Sequence, residues 1–126
     1  MTKFYIGAGL LLLLLVLGIF VGVFMDNTHT EIADTLSSAC EKTLSGDFDG
    51  GYALSQQAKN LWESNWRATA AACDHAPMDE IDSLFASLHS YWVKEDDAHF
   101  AGSCAELVQL VQAVADAHRL SWWNLL

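Results

Sequence analysis

The sequence is poor in basic residues and in proline. Its 126 residues include six Lys and Arg against sixteen Asp and Glu, and its one proline is Pro77. All sixteen acidic residues and five of the six basic ones follow Met25, so the segment from Asp26 to Leu126 has a formal charge of 5 − 16 = −11. Binding of nucleic acid depends on neutralising phosphates with Lys and Arg, and attraction to an anionic membrane surface has the same requirement. The charge balance therefore argues against both functions for this segment.

Strand patterns and catalytic signatures are also missing. No segment alternates apolar and polar residues over a useful length, and there is no nucleophile elbow, HExxH helix, P-loop or dinucleotide fingerprint. Asp47-x-Asp49 resembles the opening of a calcium loop, but the twelfth position, which needs a bidentate Glu, is Ala58. The sequence therefore predicts an all-α protein that is not an enzyme and has no cofactor.

What the sequence does contain is a long apolar run at its start. Residues 4–25 carry no charge, and at about 1.5 Å per residue a helix of this length reaches roughly 33 Å, enough to cross a hydrocarbon core. The run is too long for a cleaved signal peptide, and the residues before Asp26 are bulky. Residues 1–25 are therefore predicted to be a cytoplasmic stub and an uncleaved transmembrane signal anchor. Because Lys3 precedes the run and Asp26 follows it, the N-terminus is predicted to be cytoplasmic and residues 26–126 extracytoplasmic.

The predicted anchor also contains a GxxxG motif, formed by Gly18 and Gly22. Two small residues at this spacing let membrane helices approach closely. The motif predicts either self-association or pairing with another membrane protein, although it is frequent by chance in glycine-rich anchors.

Helical periodicity covers most of residues 26–126. A capping box at Thr28–Glu31 starts a first helix or lies within a continuation of the membrane helix, and the glycines of residues 46–51 end it. Three further helices follow, one ending near residues 73–75 before Pro77, one led by Met78, and one from Phe100 to His118. Short connections favour antiparallel neighbours, so we expect an up-down bundle of about four helices. The predicted inward residues are Ile32, Leu36, Cys40, Leu44, Leu54, Ala58, Leu61, Trp62, Asn65, Trp66, Ile81, Leu84, Phe85, Leu88, Trp92, Phe100, Ala101, Cys104, Leu107, Val108, Val111, Val114, Ala115 and His118.

This topology gathers polar residues at both ends of the bundle. The predicted distal tip, the end farthest from the membrane, contains Asp47, Asp49, Glu95, Asp96, Asp97 and His99. These side chains could attract a divalent cation or a basic partner, or they could be helix caps and solvated surface. The predicted proximal end contains His29, His75 and His118 with Asp26, Asp74 and Asp116. These histidines could bind a metal or sense pH, or they could be ordinary surface residues.

Three cysteines, an odd number, occur in the predicted outer segment. Cys40 and Cys104 lie at similar depths below the tip and could face each other across the first and last helices. The pair is either a disulfide or two small buried thiols, and Cys73 is expected at the opposite end.

The stretch DEIDSLFASLHSYWVKEDDAHFAGSCAELVQLVQAV and the tail LSWWNLL resemble an uncharacterised, mainly Gram-positive bacterial family of small single-pass membrane proteins, catalogued as a domain of unknown function. The resemblance implies an extracytoplasmic helical domain and no established activity. Ala76-Pro77-Met78 departs from the family pattern. The matching features are Asp79-Glu80-Ile81-Asp82, Leu84, Leu88, Glu95-Asp96-Asp97, Glu106-Leu107, Leu120-Ser121, Asn124 and Leu126.

The tail is unusually apolar, and the fourth helix returns it towards the membrane. Leu120, Asn124 and Leu126 are predicted to plug the lower end of the bundle, whereas Trp122 and Trp123 are predicted to contact the membrane interface, where indoles are favoured.

The expected function is that of an interaction or accessory module for a membrane or envelope partner. The alternative is an extracytoplasmic metal, ligand or pH sensor that acts through a partner.

Overall fold

Five α-helices make up almost all of the part of the chain that the computed structural model describes, residues 1–72 and 75–125, with side chains at residues 1–24, 26–71 and 76–117. They are α1 (Thr2–Leu44), α2 (Phe48–Ser64), α3 (Trp66–Ala72), α4 (His75–Val93) and α5 (Asp97–Leu125). No β-strand occurs among these described residues. The all-α prediction is therefore confirmed.

Four of these helices form a bundle. Helix α1 packs on α2 and α5, and α4 packs on the same two helices, while the short α3 packs on α2. Tight turns join α1 to α2 and α4 to α5, so the helices of each pair run antiparallel. The core contains Ile32, Ala33, Leu36, Ala39, Ala58, Trp62, Met78, Ile81, Phe85, Leu88, Phe100, Cys104, Leu107, Val111 and Val114.

Helix α1 is continuous over 43 residues. The capping box at Thr28 does not start a helix, because the Thr28 hydroxyl donates a hydrogen bond to the Phe24 carbonyl oxygen one turn earlier (2.9 Å). The Thr28 side chain thus bonds to the preceding turn of the same helix and does not act as an N-cap. Of the two predicted alternatives, the structure therefore shows the second, in which the apolar helix continues into the bundle.

The first half of α1 projects from the bundle. It is long and apolar enough to cross a membrane by length and composition, and no residue in its most apolar 18-residue window is buried. The first buried side chain along α1, among those described, is His29. Only about one turn of helix therefore separates the apolar segment from the bundle core.

The turn between α1 and α2 is shorter than predicted. Gly46, with φ of 100°, ends α1, but Gly50 and Gly51 lie inside α2. A Cβ on Gly51 would collide with the Thr43 hydroxyl and lie 2.8 Å from the Ala39 carbonyl oxygen. Gly51 thus allows α1 and α2 to approach closely, and the prediction that it breaks a helix was wrong.

Two other boundaries differ from the prediction. Asn65 separates α2 from α3 where one helix was expected, and its amide donates a hydrogen bond to the Leu61 carbonyl oxygen (2.9 Å). Helix α4 begins at His75, two residues before Pro77. Proline is tolerated there because the N–H groups of a first helical turn have no partner within the helix.

The predicted apolar stripes are largely buried, but Leu44 is an exception. Its side chain is 72 % exposed at the last position of α1. Leu44 follows Cys40 by four residues, so it lies on the face of α1 that the spacing predicts to be buried. At this last position of α1, however, α2 does not cover the side chain.

Candidate functional site: the distal tip of the bundle

The connection from α1 to α2 is a Schellman turn that leads directly into a helix cap. The N–H of Asp47 donates to the Lys42 carbonyl oxygen (2.9 Å) and that of Gly46 to the Thr43 carbonyl oxygen (3.2 Å). The Asp47 carboxylate then accepts a hydrogen bond from the N–H of Gly50 at 3.0 Å, which caps α2. One short segment therefore both ends a helix and starts the next.

The connection from α4 to α5 is built in the same way. The N–H of Asp96 donates to the Tyr91 carbonyl oxygen (2.9 Å) and that of Glu95 to the Trp92 carbonyl oxygen (3.1 Å). Asp96 then accepts a hydrogen bond from the N–H of His99 at 3.2 Å. Glu95 has φ of 57° at the position that Gly46 occupies in the first turn. A residue with a Cβ is less stable there by about 1–2 kcal/mol.

An open groove of about 460 Å³ joins the two turns and is lined by Phe48, Asp49, Trp92, Val93 and Glu95. The indole N–H of Trp92 donates to an Asp49 carboxylate oxygen at 3.2 Å, which links α4 to α2. The two turns therefore lie at the same end of the bundle. We call this end, comprising residues 41–49 and 92–97, the distal tip.

An aromatic layer supports the floor of the groove. Tyr52 stacks on Trp92 with ring centroids 4.2 Å apart, and its hydroxyl is hydrogen-bonded to His89 Nδ1 at 2.8 Å. Phe48 packs edge-on against the buried Phe100 at 5.0 Å. Aromatic pairs of this kind are stabilising beyond the area that they bury, so these contacts help to hold Phe48 and Trp92 in place at the groove.

The rim of the groove is acidic, and exposed apolar side chains lie beside it. The two turns and their flanks, residues 41–49 and 94–97, contain six carboxylates and two lysines, a net charge of −4. Val93 is 61 % exposed, and it occupies the same position in its turn as the exposed Leu44 does in the other. The distal tip therefore combines exposed apolar groups with an excess of negative charge.

Three of the four acidic residues predicted as weak metal candidates have other partners here, namely Asp47, Asp49 and Asp96. Asp47 and Asp96 cap helices, Asp49 accepts from Trp92, and Asp97 lies in the first turn of α5. The ring of His99 donates to Asp96 at 2.7 Å, and hydrogen bonds from its ring and its backbone N–H lower the pKa of the Asp96 carboxyl. Within the described part of the chain, no three His, Cys, Asp or Glu side chains are grouped in a way that could hold a metal ion.

A second groove, of about 400 Å³, lies among α2, α3 and α4, and its main feature could not be predicted from the sequence. The indole N–H groups of Trp62 and Trp66 donate to the two oxygens of the Asp82 carboxylate, at 2.6 and 3.1 Å. Lys59, Glu63 and Phe85 contribute to the same groove. The prediction that Trp62 and Trp66 face inward is confirmed, since Trp62 is 1 % exposed and Trp66 packs against the core.

The proximal end brings together some of the predicted residues. His29 is 3 % exposed and lines a cavity of about 290 Å³ with Asp34 and Asp116. Its ring packs edge-on against Trp62. The side chains of His75 and His118, and all of Asp74, lie outside the described residues.

The two predicted partner cysteines face each other across α1 and α5. Cys40 donates a hydrogen bond to the Ala101 carbonyl oxygen (3.6 Å), and burial together with the neighbouring Cys40 raises the pKa of the Cys104 thiol to about 12. Both are free thiols in this structure, with Cys104 buried and Cys40 partly buried. Whether they are oxidised in the cell stays a prediction. Cys73 lies outside the described residues.

The remaining predicted positions lie at the two ends of the chain. Gly18 and Gly22 are in the projecting half of α1, and open space surrounds Gly22. The α5 backbone remains helical through Leu125, so the tail begins as a continuation of that helix. The predicted roles of the tail depend on Leu126 and on the side chains of Leu120, Trp122, Trp123 and Asn124. All of these lie outside the described part of the chain.

Comparison with known proteins identifies the family to which the chain is similar. The model of DUF4363, described as a domain of unknown function, matches residues 19–125 and so covers the bundle and the end of the apolar segment. No curated protein and no solved structure matches the chain.

Proposed function

The chain therefore belongs to the DUF4363 family, and we propose that it is a single-pass membrane protein of a Gram-positive bacterium whose helical bundle is an interaction or accessory module outside the cell. Its partner is a membrane or envelope protein, and its role is one of binding and not of catalysis. The resemblance of residues 79–114 and of the tail to small bacterial membrane proteins supports this assignment.

The continuity of α1 is the observation that carries the proposal. The apolar residues 4–25 and the bundle residues 29–44 belong to one helix, so no flexible linker separates anchor from domain. With residues 4–25 in a bilayer, the bundle would stand directly on the membrane surface. The remaining part of α1, residues 26–44, would hold the distal tip about 28 Å above it at helical rise.

The anchor would provide a second contact. Gly18 and Gly22 lie in the exposed half of α1, where a neighbouring membrane helix could pack closely. Such a contact would join the chain to a second copy or to the membrane segment of the partner.

In-cell chemical crosslinking of the full chain, followed by mass spectrometry, tests the partner. We expect one envelope protein to be enriched in crosslinked species, and to remain enriched when residues 4–25 are replaced by an unrelated transmembrane sequence. Recovery of the monomer alone, with no enriched protein, would contradict the proposal.

A sensor acting through a partner is the second candidate, and the buried His29 beside Asp34 and Asp116 favours it. If this cavity senses metal or pH, the melting temperature of the full chain in detergent should respond to divalent ions or change between about pH 5 and 8, where histidine titrates. A melting temperature indifferent to both would exclude this candidate.

A further inference from the structure

We propose that the groove at the distal tip is the docking site for the partner, and that it binds an extracytoplasmic segment presenting an apolar side chain flanked by Lys or Arg. This inference rests on the proposed function and specifies the surface and the chemistry through which it would operate.

The apolar part of the inference comes from the groove itself. Phe48, Trp92 and Val93 line an open volume of about 460 Å³, and Val93 leaves 61 % of its surface exposed beside it. A volume of this size takes one large apolar side chain with part of its backbone. Exposed apolar surface rimmed by polar residues is typical of interaction sites.

The charge of the rim specifies what flanks that side chain. Asp49 and Glu95 line the groove, and the distal tip as a whole has a net charge of −4. Complementary charge accelerates association and suppresses wrong partners, whereas like charges at an interface oppose binding. A segment carrying Lys or Arg beside its apolar residue therefore fits, and an acidic segment does not.

The same charge argues against two other occupants. A second copy of the chain would present an identical acidic tip, so tip-to-tip pairing would bring like charges together. Anionic lipid would be repelled for the same reason, and α1 holds the distal tip at the far end of the bundle from the apolar segment.

Glu95 provides a variant that separates binding from folding. Its φ of 57° is favourable for glycine and unfavourable for glutamate. Replacing Glu95 with Gly should therefore raise the melting temperature, by about 4 °C for a domain of this size, while removing a charge from the groove. A residue with a purely structural role would not combine a gain in stability with a loss of binding.

The test is site-specific photo-crosslinking of the full chain in cells, with a photoreactive amino acid at Val93 in the distal tip or at Gly102 on the exposed face of α5. We expect a heterologous crosslink from position 93, and mass spectrometry should place it in an extracytoplasmic segment with an apolar residue next to Lys or Arg. Its yield should fall about tenfold in Glu95→Lys and severalfold in Glu95→Gly. The matched control Glu80→Lys, an exposed charge reversal outside the distal tip, should leave the yield unchanged.

Other results would overturn the inference in distinguishable ways. Crosslinks from position 102 but none from position 93 would place the partner elsewhere on the bundle and leave the proposed function standing. A crosslink from position 93 to a second copy, to lipid or to an acidic segment would refute the proposed chemistry, as would equal yields in Glu95→Lys and Glu80→Lys. No heterologous crosslink from either position would contradict the docking site, and if chemical crosslinking of the full chain also enriched no protein, the proposed function would be contradicted as well.

Discussion

At the scale of single residues, the acidity of the bundle serves packing as well as solubility. Three indole N–H groups, those of Trp62, Trp66 and Trp92, donate to aspartate oxygens. A buried indole N–H without an acceptor costs free energy, and a carboxylate is a stronger acceptor than a neutral group. Asp82 and Asp49 thereby allow large aromatic side chains to lie between helices with their polar atoms satisfied.

The substitution Asp82→Asn tests the paired indole contact. A carboxamide can accept from one indole through its oxygen, but it presents an NH₂ group to the other. We expect the free energy of unfolding to fall by about 1–3 kcal/mol, measured by urea denaturation of the full chain in detergent with tryptophan fluorescence. Asp79→Asn, at an exposed position on the same helix, should change it by less than about 0.5 kcal/mol. Equal losses in the two variants would show that Asp82 stabilises the bundle through its charge alone.

Because the Cys104 thiol is buried, we expect the free energy of unfolding to fall at alkaline pH. Burial, with a smaller effect from Cys40, raises its pKa in the folded state from 9.0 to about 12, so between these values the folded chain retains a proton that the unfolded chain releases. The contribution of this thiol to the free energy of unfolding is fully present below about pH 9. It is lost as the pH rises towards 12, at up to about 1.4 kcal/mol per pH unit.

Urea denaturation at pH values from 8 to 11 measures this dependence. The variant Cys104→Ala should show a flatter decline than the natural chain, because the two chains differ only in this thiol. Identical slopes would mean that the thiol ionises within the folded bundle without cost.

At the scale of the elements, close approach of α1 and α2 depends on Gly51. Replacing it with Ala places a methyl group against the Thr43 hydroxyl and the Ala39 carbonyl oxygen. Overpacking of this kind should lower the free energy of unfolding by about 1–3 kcal/mol. Gly102→Ala is the matched control, because its Cβ meets open space within a helix, and it should raise that free energy by about 0.5–1 kcal/mol. A neutral Gly51→Ala would show that the two helices separate readily.

The sequence predicts the helices and their buried faces well, because a period of 3.6 is a local property. Ile32, Leu36, Ile81 and Phe85 are all buried as their spacing indicates. The exposure of Leu44 could not be predicted in the same way, since it depends on where the next helix turns away.

The candidate site was predicted only in part. The acidic residues of both turns were expected at one tip, and the glycine of the first turn marked a helix end. The groove between them depends on contacts such as Trp92 with Asp49, 43 positions apart, which one sequence does not reveal. The left-handed conformation of Glu95 gave no signal, because glutamate is uncommon there.

At the scale of the whole molecule, α1 connects its two chemically different parts. One part is an exposed apolar helix, and the other is an acidic bundle built around the second half of that same helix. Since no turn interrupts α1, a shift or rotation of the apolar part would be transmitted to the bundle as a rigid movement. Under the proposed function, partner binding at the distal tip and packing of the apolar part of α1 in a membrane would therefore be mechanically linked.

Labelling of engineered cysteines in intact cells tests the orientation of the chain in the membrane most directly. Single cysteines at Ser45 in the distal tip and at Thr2 before the apolar run are compared in a chain with Cys40, Cys73 and Cys104 replaced by Ala. We predict that a membrane-impermeant maleimide labels Ser45→Cys in intact cells and labels Thr2→Cys only after permeabilisation, with both variants retained in carbonate-washed membranes. Labelling of Ser45→Cys only after permeabilisation, or release of the chain by carbonate, would contradict the proposal of a membrane-anchored module outside the cell.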